Sequence, residues 1–427
     1  CSRRLCRLCR RRLLLVLPPI IVLRLRRSAR RRGRRRIARI RLRTRSACVG
    51  FSLGGAFTLR ALRSTTIPAI VVHNQNHSRH QAIRPGALWL DTSGQPIRAH
   101  SAGLLFHGGW FYWFGADHYR PANRTTLPNS TANRVINVYS SADLVRWRNH
   151  GTAFEMVSGY ADRPKVVHEP VSGRFVMWFK STPFVGVAVA AAPLGPFQFV
   201  GRWRPDRASE VGDLTAFIDP LSSRGYIAYS AKPSRVDSQT SPSALPTGAP
   251  LQALDAGSAA GTKLSARVIR IREMTSDMLN LTASVVATIP YPREAPALFF
   301  EPERSRYYIW SSRASGWRAN AAEVFSARTL RGPWRSEGNP TRHPTSFDSQ
   351  STYVLPLSGR GGRVRFVYVA DRFEPYISGP TCGAQLCESG RYVWLPLELL
   401  PPPGHVEGDR TLRVSWRDHW QPAELMS

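Results

Sequence analysis

The sequence predicts an all-β fold, a five-bladed β-propeller preceded by a basic, disordered N-terminal targeting segment. Three observations carry this. One pattern recurs five times: a polar residue, a short spacer, an apolar strand, a turn and an aromatic strand. A second hairpin pattern follows some of the copies, and two hairpins per repeat make the four-stranded sheet of a propeller blade. Helical periodicity is absent over any long window of the 427 residues, a length that propellers often use as one unit. The chain divides accordingly into residues 1–85, an Arg-rich targeting and linker segment, and residues 86–427, the propeller.

The first copy runs from His100 through SAGLLFHGGWFYWFGA and turns at Gly108-Gly109. The second starts at Asp162 (RPKVVHEPVSGRFVMWFKS) and the third at Asp213 (LTAFIDPLSSRGYIAYSA). The fourth starts at Glu294 (APALFFEPERSRYYIWSS) and the fifth at Gln350 (STYVLPLSGRGGRVRFVYVA). Each is a β-hairpin by composition, with β-branched and aromatic runs bounded by Gly, Ser and Pro. The second hairpins are VYSSADLVRWRNHG (138–151), VAVAAAPLGPFQFVG (187–201) and VFSARTLRGPWRSEG (324–338). Spacings between copies are 62, 51, 81 and 56 residues, and the long one holds the Ser/Pro/Ala/Gly-rich stretch 231–262, expected to be a surface insertion in the third blade. The segment HVEGDRTLRVSWRDHW is expected to close the last blade.

The net charge of +32 resembles a nucleic-acid signal until its distribution is considered. Residues 1–63 hold 21 Arg and no acid, the first acid is Asp91, and the remaining 364 residues carry only +11. Lys occurs only at Lys165, Lys180, Lys232 and Lys263, a bias typical of a G+C-rich genome rather than of phosphate contacts, and no nucleic-acid-binding fold accompanies the basic segment. No nucleic-acid partner is therefore expected. Leu13 to Leu23 is an apolar run broken by Pro18 and Pro19, too short to span a bilayer but fitting the h-region of a secretory signal. The acid-free sequence as far as Arg45 also resembles an organelle transit peptide. A secreted or secretory-pathway, monomeric protein is the expectation, and a membrane tether is left open with no sequence feature in its support. The sequons at Asn76, Asn123, Asn129 and Asn280 are compatible with it, as is a small disulfide between Cys382 and Cys387.

In a propeller the first strand of each blade lines the central channel, so the residues that open these strands converge. Here they are His100, Asp162, Asp213, Glu294 and Gln350. Polar residues at a wet channel mouth can be merely solvated, but five unrelated strands share no packing reason for one polar register. Carboxylates around a sugar-sized cavity suit glycosidic hydrolysis, in which a protonated carboxyl donates to the leaving oxygen and a second group activates water or attacks the sugar. Glu294 has the longer reach and precedes an apolar strand, which makes it the acid candidate. Asp213 is the neighbour that would raise its pKa and hold sugar hydroxyls. No metal cluster of convincing spacing and no phosphate-binding Gly loop appears, so neither metal nor cofactor is expected. The 12 Trp and 10 % aromatic content fit either sugar stacking or a β-sheet core.

EAPALF at Glu294, the DxT of Asp213-Leu214-Thr215, RPKVV (163–167) and the five-bladed repeat resemble the family 43 glycoside hydrolases, and within them the exo-β-1,3-galactanase subgroup. That subgroup's signatures recur as DTSGQPIRAHSAG (91–103), FYWFGA (111–116), SGWRANAA (315–322), SQSTYVLP (349–356) and RYVWLPLE (391–398). The resemblance implies galactose release from the non-reducing end of β-1,3-galactan by an inverting reaction. Glu294 would be the general acid and Asp213 its modulator, with Gln350 standing where most of the family has a carboxylate base and positioning water there. His100 opens the first blade as the subgroup's motif would predict. Asp162, His100, Trp317, Asn320, Thr215 and Tyr112 are the candidate sugar contacts. Two positions depart from the subgroup: Asp162 replaces a Glu, and Ala116 replaces a Glu after the aromatic run. Competing readings are another family-43 activity, arabinofuranosidase or xylosidase, and a catalytically inactive glycan-binding propeller.

Overall fold

A computed structural model describes residues 40–44, 47–51, 82–118, 134–205, 210–232, 267–289, 292–315, 319–372, 391–400 and 411–426. Two compact units, Cys1–Ser64 and Thr65–Ser427, make up the chain. In the first, β1 (Ile40–Thr44) and β2 (Ala47–Phe51) pair antiparallel with Ile40 opposite Phe51. The apolar/Arg alternation of IRLRT is the period-2 pattern of a strand. The apolar run 13–23, the Cys382/Cys387 pair and the sequons at Asn76, Asn123 and Asn129 lie outside the described residues. Among the described residues no helix is long and apolar enough to cross a membrane.

The second unit contains five four-stranded antiparallel sheets, each made of consecutive strands. Blade one holds β3 (His100–His107), β4 (Trp110–Ala116), β5 (Val135–Ser141) and β6 (Arg148–Glu155). Blade two holds β7 (Asp162–His168), β8 (Phe175–Ser181), β9 (Phe184–Ala190) and β10 (Gln198–Trp203). Blade three holds β11 (Glu210–Ile218), β12 (Gly225–Lys232), β13 (Val268–Met274) and β14 (Leu281–Ile289). Blade four holds β15 (Arg293–Glu301), β16 (Arg306–Arg313), β17 (Glu323–Ala327) and β18 (Arg335–Gly338). Blade five holds β19 (Gln350–Ser358), β20 (Val364–Arg372), β21 (Arg391–Leu400) and β22 (Thr411–Val414), after which a one-turn helix, α1 (Pro422–Met426), follows. The first strands pack in order, β3 on β7, β7 on β11, β11 on β15, β15 on β19 and β19 back on β3, which closes the ring. The stretch expected as an insertion falls between β12 and β13, and most of it lies outside the described residues.

The burial pattern explains why the repeats were legible. First and second strands are covered on both faces by neighbouring blades, so they read as nearly continuous apolar runs such as FVMWF in β8. The fourth strands β6, β10 and β18 are mostly exposed and read as polar. Five hydrophobic clusters form, each between adjacent blades. Blades one and two share Phe114, Phe154, Met177 and Phe179, for example, and blades three and four share Tyr226, Ile271, Phe300 and Ile309. Trp113, Trp147, Trp178, Trp310, Trp394 and Trp420 are fully buried, so much of the Trp content packs the blades together.

The hairpin tips between first and second strands carry a shared device. Glu169, Asp219 and Glu301 are each buried and turn their carboxylates back onto the tip. Glu169 accepts from the backbone N–H of Val171 at 2.6 Å and Ser172 at 2.8 Å, Asp219 from Leu221 and Ser222, and Glu301 from Glu303 and Arg304. The Glu/Asp-Pro pairs in the repeats are the sequence trace of this. In blade one the tip is a two-residue turn at Gly108 and Gly109, both at positive φ, and a charged cap has no place there.

Candidate active site

His100, Asp162 and Gln350 open β3, β7 and β19 as expected, whereas Glu294 is the second residue of β15 and Asp213 the fourth of β11. All five stand next to a shared irregularity. Ladder register shifts between His100 and Gly103, Asp162 and Lys165, Val211 and Leu214, Glu294 and Ala297, and Ser351 and Tyr353. Such a bulge kinks the strand and re-aims the side chain beside it. Ser101, Arg163 and Ala295, the residues right after His100, Asp162 and Glu294, sit at φ of +60°, +53° and +52°. Three non-glycine residues in the left-handed region at one register are local strain held by the surrounding blades. Gly103 is required here, since a Cβ would lie 2.1 Å from the Pro164 carbonyl oxygen.

The side chains meet in one network. Gln350 Nε2 donates to Ser312 Oγ at 3.0 Å and to Glu294 Oε1 at 3.3 Å. Its Oε1 accepts from Arg163 Nη2, which stands 3.2 Å from Asp213 Oδ2. Asp213 Oδ1 accepts from Lys180 Nζ at 2.9 Å. Asp162 accepts from Tyr160 Oη at 2.7 Å and from the Arg163 backbone N–H at 2.7 Å, and its Oδ1 lies 3.4 Å from His118 Nε2. The His118 ring stacks on His100 with centroids 5.0 Å apart, and His100 Nδ1 lies 3.8 Å from Asp371 Oδ2. Every blade contributes to this network, which brings together all five residues expected to converge.

The other expected contacts are placed differently. Thr215 is wholly buried two residues further along β11 from Asp213. Asn320 is buried, and its amide bonds the backbone of Arg313 and Ser315 Oγ, which pins the connection between β16 and β17. Tyr112 lies opposite Leu105 and Ser140, four residues before the end of β4, and packs against the core between blades one and two. That puts it roughly 13 Å along the strand from the network. Trp317 lies outside the described residues.

Electrostatics set the two carboxyls apart. Burial, reinforced by the neighbouring Asp213 charge, raises Glu294 to about 7. Burial also works against the Asp213 carboxylate, but Arg163 and Lys180 outweigh it and hold its pKa below the ordinary value. Asp162 is driven well below the usual range because His118, Lys180 and Arg163 together overcome its burial. Beneath them Lys165 is buried, donates to the carbonyls of Ser101 and Pro164 at 3.2 Å, and is pulled down to about 7 by burial and by Arg163. At neutral pH the site thus holds a protonatable carboxyl beside an ionised one, the arrangement by which environment assigns acid and counter-charge roles.

No protein-family model matches the chain, and no curated protein sequence does. Solved structures do. An exo-β-1,3-galactanase from Phanerochaete chrysosporium, bound to β-1,3-galactotriose, is 26% identical over 81% of this chain and 70% of that one, with a TM-score of 0.61. The exo-β-1,3-galactanase from Clostridium thermocellum is 25% identical over 79% of this chain and 66% of its own, with a TM-score of 0.59. A family-43 β-1,3-galactosidase bound to galactodeoxynojirimycin is 25% identical over 79% of this chain and 100% of its own, also at 0.59. The chain is similar to family-43 glycoside hydrolases acting on β-1,3-galactan, in fold and in sequence, over about four fifths of its length.

Sequence motifs did not assign several members of the network: Arg163, Lys165, Lys180, His118, Ser312 and Asp371. Two signals point to them. Lys is scarce throughout the chain, yet Lys165 and Lys180 are both in the site. The ends of the second strands also face the first polar register. Lys180 lies opposite Asp162, Ser312 opposite Glu294, Asp371 opposite Gln350, and Ala116 opposite His100. A second ring of small or polar residues was therefore already present in the repeat alignment.

Proposed function

We propose that this enzyme removes galactose from the non-reducing end of β-1,3-galactan, such as the backbone of arabinogalactan-type glycans, with inversion. The support is the similarity to exo-β-1,3-galactanases over most of the chain, together with one observation in the site. Glu294, raised to about 7, stands beside an ionised Asp213 and within 3.3 Å of Gln350. In this reading Glu294 donates its proton to the glycosidic oxygen as the bond to C1 breaks. Asp213 keeps Glu294 protonated at neutral pH and binds sugar hydroxyls. Gln350 positions the attacking water, whose oxygen bonds to C1 as the glycosidic bond breaks. The water's proton passes on to solvent, since an amide in its ordinary form is too weak a base to keep it. Asp162 and His100 hold the sugar from the opposite side of the mouth. The apolar run at residues 13–23 supports placing the enzyme on a secretory route, where such glycans are met.

The test is incubation with linear β-1,3-galactan, with arabinoxylan as control. Free galactose from the first alone supports the reading, and proton NMR should show the α-anomer first. Pentose release from arabinoxylan would move the activity elsewhere in the family. Galactan binding without product would mark a glycan-binding propeller.

A further inference from the structure

We infer that Arg163 is the positioning residue for the Gln350 amide, and that the same guanidinium ties this amide to the charge on Asp213. The catalytic meaning rests on the reading above, whereas the positioning itself follows from geometry. Arg163 is 4% exposed. Its Nη1 donates at 2.7 Å to the carbonyl of Ser351, which fixes the guanidinium against the backbone next to Gln350. Its Nη2 then reaches both Gln350 Oε1 and Asp213 Oδ2. A guanidinium has donors only, so the oxygen end of an amide must face it.

That constraint decides which way Gln350 points. With Oε1 held by Arg163, Nε2 is turned toward Ser312 Oγ and Glu294 Oε1. Glu294 Oε1 is thereby an acceptor, and the proton of the neutral acid is left to Oε2, the oxygen free to deliver it. One cation thus orients the amide, sets which oxygen of the acid carries the proton, and keeps Asp213 ionised. The strained backbone of Arg163 at φ +53°, inside the bulge after Asp162, is what aims the side chain across the channel from blade two to blades three and five. A lysine would supply the charge without the planar fork that meets three oxygens at once.

The test compares Arg163→Lys, Gln350→Ala and the double variant on β-1,3-galactobiose. Each single change is expected to lower kcat by roughly 10- to 100-fold with a smaller change in KM, as for a misplaced reacting group. Because Arg163 acts largely through Gln350, the double variant should lose little beyond the worse single one. Losses that multiply would overturn the inference. A second measurement needs no substrate: the side-chain amide of Gln350 in 15N-glutamine-labelled protein, assigned by its disappearance in Gln350→Ala. Its protons should exchange with water roughly tenfold faster in Arg163→Lys, corresponding to one lost charge-assisted hydrogen bond. Unchanged exchange would sink the positioning role. Should Arg163→Lys not fold, Gln350→Glu keeps the arginine, and the introduced carboxyl should titrate below the ordinary carboxylate range; one raised as Glu294 is would refute the contact. A wild type that releases no galactose yet shows the Arg163-dependent amide signal would refute the catalytic reading alone. An active wild type with multiplying losses would refute only the inference.

Discussion

Glu294 is protonated up to about pH 7 because burial and the Asp213 charge both oppose its ionisation. As the acid it would have to be protonated to act, so kcat on galactan should fall as pH rises through about 7, and a rate profile flat across that range would contradict the role. Glu294→Gln should cut the rate on unactivated galactan by about 10²- to 10⁴-fold, and far less on an aryl galactoside whose leaving group needs no proton. The same shift acts on stability. With a folded pKa above its unfolded value, the native state holds the extra proton between 4.5 and about 7, so stability falls as pH rises through that window. Glu294→Gln removes this penalty. Thermal unfolding should find the variant more stable than wild type at about pH 8, by at most about 3 kcal/mol, and no better at about pH 4. A variant less stable at the higher pH would mean that the carboxylate is better accommodated than its surroundings indicate.

At the scale of the strand, blades two, three and four separate function from support along their first hairpins. The bulged end aims side chains into the channel, and the other end is tied by the buried carboxylate of Glu169, Asp219 or Glu301. Glu169 accepts two backbone N–H groups and the Ser172 hydroxyl, far along β7 from Asp162. Glu169→Ala removes the hydrogen bonds that order this exposed tip, whose donors then turn to water, and should lower stability by about 1 kcal/mol. Because this tip lies at the opposite end of the strand from the network, kcat on galactan should remain at the wild-type level. Chemical denaturation and kinetics on one preparation check both halves, and a fall in kcat would show that the tip communicates with the mouth.

At the scale of the molecule, the ring has to be closed without an exchanged strand, because blades one and five are each built from consecutive strands. The seam between them is hydrophobic. Trp113 meets Trp394 and Tyr392 with ring centroids at 4.7 Å, and Trp89, from the segment before the first blade, packs on all three rings at 5.2 to 6.0 Å. Isolated bridges of Ile83 with Trp420 and Leu88 with Arg391 hold that segment to the chain's other end. Trp89→Ala should therefore cost about 2–4 kcal/mol and lower the thermal midpoint by several degrees. An unchanged midpoint would place the closure elsewhere.

Repetition made the five-bladed fold legible before any coordinate, since a strand buried on both faces must be apolar and a hairpin tip must carry turn residues. It also made the first polar register legible: His100, Asp162, Asp213, Glu294 and Gln350 stand out because no packing need explains them. What those residues do to one another was not legible. That Glu294 rather than Asp213 is raised depends on which carboxyl Arg163 and Lys180 touch, and those contacts span residues far apart in the chain. Thr215, Asn320 and Tyr112 look alike as polar residues in motifs, yet Thr215 and Asn320 are buried, Asn320 bonds the Arg313 backbone, and Tyr112 lies further along its strand. The sequence by itself determined the blades and the ring of polar positions, because periodicity is a local property of the chain. Only the tertiary structure decided which of these groups is charged, since a pKa is set by neighbours in space.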